Sequence, residues 1–168
     1  MFEKNGYAFH NGDGVCLIKD IMSMCFDGKT TRNYYCLEPV GKNKGVCFVP
    51  VDNSSTLREI TDKSTLSEML DNAEKIPLIC AANPKLRANA FKEALKSKTC
   101  ENYIRVLKTL SNTLKEKRKA GKTLSSTDEK FRSEAFENLK NEIVVSFKIS
   151  SEKAEEKIKE AAEAYEVL

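Results

Sequence analysis

From residue 7 to residue 58 the apolar positions come in short runs, bracketed by glycine, aspartate and asparagine: residues 7–9, 15–26, 33–38 and 46–49. The stretches GDGVCLIKDI, YYCLEP, GVCFVPVDN and LREI are rich in β-branched and aromatic residues, and this composition predicts a small curled sheet. Asn11-Gly12-Asp13-Gly14 reads as a turn, Asp27-Gly28 as a hairpin, and residues 41–45 as a polar turn, with Pro39 and Pro50 closing two of the strands. A spacing of about ten residues per strand suits an SH3-like or Tudor-like barrel.

Past residue 64 the apolar period becomes helical. Thr65 and Glu68 have capping-box spacing and open a short helix. Leu86, Ala90, Phe91, Ala94 and Leu95 form a stripe over residues 85–97, and Tyr103, Val106, Leu107, Leu110 and Leu114 form another over residues 101–119, which Gly121 stops. Ser125 or Ser126 opens the next helix, with Phe131, Ala135, Leu139, Ile143 and Phe147 as its stripe, and Ser150-Ser151 restarts a last one to about Glu166. Leu107, Leu110, Leu114, Leu139 and Ile143 are expected in the core of the bundle. The fold class is therefore α+β: an N-terminal barrel over residues 1–62, a short helix and linker over 63–82, and an all-helical domain over 83–168.

Charge sharpens this division. Residues 1–75 carry 9 basic and 11 acidic groups, residues 83–132 carry 14 and 5, and residues 133–168 carry 5 and 9, so the excess of positive charge sits in one central helical block. Such a block fits a polyanion, or equally a solvated lysine-rich helix face. No apolar run approaches the length of a membrane span, and residues 1–20 lack the layout of a signal peptide, so a cytoplasmic location is expected. The six cysteines form no C-x-x-C pair, and His10, the single histidine, has no evident ligand partner; the cysteines read as reduced core hydrophobes, with no metal or cofactor expected. No nucleophile elbow, P-loop, dinucleotide fingerprint or H-E-x-x-H motif occurs, so the chain is not expected to be an enzyme.

Taken in order, Gly12-x-Gly14-Val15-x-x-Ile18-x-x-Ile21, Tyr34-Tyr35-x-Leu37, Val49-Pro50-Val51-x-Asn53, Leu57-Arg58 and Leu124-Ser125 resemble the bacterial CarD/CdnL transcription regulators. The resemblance runs through nearly the whole chain; each motif alone is weak, and their order and spacing carry it. It implies a Tudor-like domain that binds the β subunit of RNA polymerase, and a helical domain that contacts promoter DNA beside the −10 element with little sequence specificity. The implied effect is a change in the stability of the open complex. A monomer is expected, with no membrane partner.

In the family the polymerase contact pairs one sheet edge with a strand of the β lobe. Alignment places that edge on Val46, Cys47, Phe48 and Val49, with Met24 on a neighbouring strand. Many members carry arginine where this chain has Met24 and Phe48, so the contact here is greasier or the partner surface differs; both residues read equally as core. The family also places a tryptophan before its first long C-terminal helix as a minor-groove wedge. This chain has no tryptophan, and Pro84 stands at the matching position, either as a smaller wedge or as an ordinary helix-start proline. Lys85, Arg87, Lys115, Lys117, Arg118, Lys119, Lys122 and Lys130 are the candidate phosphate contacts, and the run from 115 to 122 reads equally as a solvated helix end. Two other readings stay open: an adaptor that binds polymerase or another protein without engaging DNA, and a cysteine-based redox or metal sensor.

Overall fold

The computed structural model describes residues 1–26, 28–41 and 45–163, with side chains as far as Ala161. The chain divides into two compact units, Met1–Ile60 and Thr61–Leu168. The first is a sheet and the second is helical, which gives the expected α+β class.

Five antiparallel strands build the first unit: β1 (Tyr7–His10), β2 (Gly14–Met24), β3 (Arg32–Pro39), β4 (Cys47–Pro50) and β5 (Leu57–Arg58). They lie in the order β4-β3-β2-β1-β5, a Tudor-like sheet with β4 at one edge. The turn before β2 ends on Gly14 at φ +82°, a conformation that glycine adopts without steric cost. Within β2 the register slips between Ile18 and Asp20, so Lys19 is skipped in the ladder with β3, although its ammonium reaches Glu38 of that strand at 3.2 Å. Such a bulge bends a strand and increases its twist, which lets one long strand pair with β1 at its start and with β3 beyond. Ala8, Cys16, Ile18, Tyr35, Leu37 and Val49 form the core, with Phe2, Cys47, Val51 and Leu57 packed against it. Each fully buried aliphatic side chain there contributes about 1.5–3 kcal/mol. At the far edge Arg58 lies 4.0 Å over the ring of Phe9, its partner across the β1–β5 ladder. The hairpin expected at Asp27-Gly28 includes Asp27, which lies outside the described residues, as do residues 42–44 of the turn expected after β3.

The second unit contains α1 (Lys63–Asp71), α2 (Pro84–Lys96), α3 (Cys100–Lys119), α4 (Ser126–Phe147) and α5 (Ser151–Glu163). Its first helix starts earlier than the Thr65–Glu68 spacing suggested. Asp62 is the cap, accepting from the Thr65 amide and from the hydroxyls of Ser64 and Thr65. A carboxylate is the stronger acceptor, and these bonds, from Ser64 first and then Thr65, hold it well below the usual carboxylate range. Asn83, Thr99 and Ser125 cap α2, α3 and α4 through their side chains. At the end of α3, Gly121 (φ +68°) and Lys122 donate back to Arg118 and Lys117, a Schellman stop. The end of α5 expected near Glu166 lies outside the described residues.

The bundle core follows the helical stripes: Phe91, Leu95, Tyr103, Val106, Leu110, Leu139 and Ile143 are buried, whereas Leu86 is 51% exposed and leaves its stripe. Two polar anchors supplement this core. Glu142, fully buried on α4, accepts from the amide and hydroxyl of Thr61 at 2.9 and 2.7 Å, while Ser146 donates to the Thr61 carbonyl. Lys108, on the buried face of α3, donates to the carbonyls of Ala73, Glu74 and Ile76. Arg105 and Thr109, one helical turn apart, bind the Pro77 carbonyl and the Ile79 amide. The segment read from sequence as a linker is thus fastened along α3.

Replacing Lys108 with methionine should keep the apolar stem and strand the carbonyls. We expect a loss of about 1–3 kcal/mol, read as a lower urea midpoint with an unchanged m-value.

Candidate docking edge and basic surface

β4 hydrogen-bonds to β3 on one side, and it is a terminal strand in the order of the sheet. An edge strand presents main-chain donors and acceptors to a partner strand. Register sets what accompanies them. Tyr35 opposes Val49 on the core face, while Cys36 opposes Phe48 on the outer face. Phe48 is 40% exposed and Val46, just before the strand, is 44% exposed. Phe26 meets Tyr34 edge-on at 5.0 Å and Phe48 at 6.1 Å, so three aromatic rings gather beside the edge. Met24 is half-buried opposite Arg32 on the same outer face as Tyr34, and neither Met24 nor Phe48 belongs to the core of the sheet. Val49 does belong to it, so only its backbone is available to a partner.

Cys47 faces inward from the same strand. Its Sγ, the carboxylate of Asp13 and a ring nitrogen of His10 all lie within 4.8 Å of one another, and His10 Nδ1 is 2.9 Å from Asp13 Oδ2. Burial first, then the neighbouring Asp13 charge and hydrogen bond, push the Cys47 thiol up to about 11. The cysteines do not all fill cores as expected: Cys16, Cys36 and Cys100 are buried, but Cys25 and Cys80 are exposed.

In the helical unit the candidate basic residues divide into two groups. Arg87 Nη2 and Lys117 Nζ both reach Asp128 Oδ2, at 3.2 and 3.7 Å, and the Asp128 side chain is only 7% exposed. These two cations sit in the first turn of α2 and the last turn of α3, and Asp128 sits in the first turn of α4. The guanidinium is also sunk into the bundle, with Nε buried and unpaired among the described residues. Elsewhere in the positive block, Lys98 pairs with Glu134 and Arg132 with Glu129, while Lys108 is buried. Lys115 is half-buried and has interactions of its own. The second group comprises Lys85, Arg118, Lys119, Lys122 and Lys130, all exposed. They stand on the same helix ends that Asp128 joins, so the structure brings this subset to one end of the bundle. Pro84 is exposed at the start of α2, and the exposed Leu86 follows two residues later.

Sequence reasoning missed Asp128, Leu86, Phe26 and the partners of His10. Asp13 was within reach, three residues from His10; Cys47 was not, since only the curl of the sheet brings it near.

Residues 2–61 match the family model described as the CarD-like/TRCF RID domain, and the match ends within one residue of the first structural unit. That domain family mediates protein interaction, and its partner is the β subunit of RNA polymerase. No curated protein matches the chain. Among the described residues, no helix is long and apolar enough to cross a membrane.

The shared carboxylate has a measurable signature. Asp128→Ala and Arg87→Met, made singly and together, should show a coupling of about 0.5–3 kcal/mol in urea unfolding. Additive effects would mean that the pair contributes nothing to stability.

Proposed function

We propose that this chain, whose N-terminal unit belongs to the CarD-like/TRCF RID family, is a transcription regulator that docks on the RNA polymerase β subunit through β4 and meets promoter DNA through the helical unit. The observation that carries the docking step is the free side of β4, with exposed Phe48 and Val46 beside it. Main-chain bonds from β4 would extend the partner's sheet, and the Phe26–Tyr34–Phe48 cluster would take the place of the arginines found in the related regulators. Aromatic anchors of this kind dominate interface energetics.

For DNA, the support is the gathering of Lys85, Arg118, Lys119, Lys122 and Lys130 at one end of the bundle. Arg87 and Lys117 contribute less, because Asp128 neutralises part of their charge. Four of the five gathered cations are lysines, point charges suited to phosphate more than to base edges, so the proposed binding carries little sequence specificity. Pro84 stands where the related regulators carry tryptophan, and the proposed wedge rests on it, with the exposed Leu86 in the same first turn of α2. Bound to promoter DNA near the −10 element, such a chain would modulate open-complex stability without catalysis.

Two measurements test the two halves separately. Phe48→Asp in the full chain should weaken binding to the isolated polymerase β subunit by about 30-fold or more, the loss typical of an interface anchor. Unchanged affinity would remove β4 as the docking edge. Arg118→Glu with Lys119→Glu should make the log–log salt dependence of promoter-duplex binding shallower by roughly 2, at about 0.9 per phosphate contact. Binding without salt dependence, or none at all, would favour a protein adaptor that leaves DNA alone.

A further inference from the structure

We propose that His10, Asp13 and Cys47 form a binding site for one divalent transition-metal ion of the zinc type. The donors are of three kinds, an imidazole nitrogen, a carboxylate oxygen and a sulfur, and the chosen atoms lie within 4.8 Å of one another. Around a tetrahedral ion with bonds of about 2.0–2.3 Å, ligand atoms stand roughly 3.3–3.8 Å apart, so rotamer adjustments of about 1 Å complete the geometry. His10 Nδ1 and Asp13 Oδ2, hydrogen-bonded at 2.9 Å, need to part by only about half an ångström to share the ion.

The placement of these residues points the same way. His10 ends β1, Asp13 lies in the turn to β2, and Cys47 opens β4, which is separated from β1 by two strands in the sheet. Among the described residues no strand ladder joins β4 to that turn, and these side chains span the gap. The turn is fitted to the imidazole: a Cβ on Gly12 would come within 3.3 Å of the His10 ring. All three ligands are half-buried, dry enough to favour coordination over hydration and open enough for an ion to enter. Three protein ligands leave the fourth position to water.

Loading balances simply. The Cys47 thiol releases its proton to solvent as the sulfur–metal bond forms, and His10 binds as neutral imidazole through Nδ1. Thiolate and carboxylate together cancel the two positive charges of the ion. The effect is a staple across the curled sheet, independent of whether β4 docks on a polymerase.

The test uses the full chain, reduced and stripped with chelator, titrated with cobalt(II) and then with zinc. We expect one cobalt per chain, with a thiolate-to-cobalt charge-transfer band that zinc displaces. Cys47→Ser should abolish the band. Asp13→Asn, nearly isosteric, and His10→Gln should weaken binding by more than the roughly 10- to 100-fold cost of losing an outer-sphere partner. Cys25→Ser and Cys80→Ser, at exposed positions, should leave the band intact. No band in the native chain would overturn the site, showing a hydrogen-bonded cluster only. So would a band that survives Cys47→Ser or disappears with Cys25→Ser or Cys80→Ser, which marks adventitious metal. Circular dichroism of Asp13→Asn separates a lost ligand from a lost fold.

Discussion

One carboxylate, Asp128, decides how the basic end of the helical unit is built. Its side chain is nearly buried, and a lone buried carboxylate would be expensive. Two cations from two other helices offset that cost, each still reaching water along part of its length. Position adds to the attraction, since an acid in the first turn of α4 and a lysine in the last turn of α3 both oppose the local helix dipole. Three helix ends therefore converge, and the remaining cations on those ends form a single surface. The same contact also withdraws charge: Arg87 and Lys117 serve the fold before they serve any ligand.

The sheet unit works by curvature. The bulge at Lys19 and the turn at Gly14 curl the five strands until the turn after β1 comes near Cys47 of β4. That curl encloses a core of six main residues, leaves β4 as an edge with aromatic rings beside it, and assembles a mixed His–Asp–Cys cluster on the inner side of the same strand. Two faces of one strand thus carry different chemistry. Phe48 and Cys47 are sequence neighbours, and the two-residue period of a strand sends them to opposite sides.

Much of this was legible in the chain. Strands announced themselves by β-branched runs between turn residues, and the long helices by their stripes and by caps such as Ser125. Residues 2–61 match the family model, over the stretch where most of the ordered motifs lie. What stayed hidden depends on distant partners. Counting charge by segment treats every lysine and arginine as solvated, but Lys108 is buried and Arg87 is paired with a residue 41 positions away. Leu86 was counted in the apolar stripe and still faces solvent, because the buried side of α2 runs through Phe91 and Leu95, and at about 100° per residue Leu86 stands roughly 140° around the helix from Phe91. The cap of α1 was missed by three residues, since a capping-box pattern cannot tell that Asp62 offers a stronger acceptor than Thr65.

The lock between Thr61 and Glu142 has a consequence for how the chain is made. Thr61 is the first residue of the helical unit, and the side chain that receives its amide and hydroxyl lies 81 residues further on. A ribosome adding about 5–20 residues per second needs roughly 4–16 s to reach that glutamate. Throughout that interval every pairing of the sheet unit has already been synthesised, while the helical unit lacks the partner for its opening residue. Birth order on the ribosome therefore makes every strand of the sheet available first, and the bond that opens the second unit can close only afterwards.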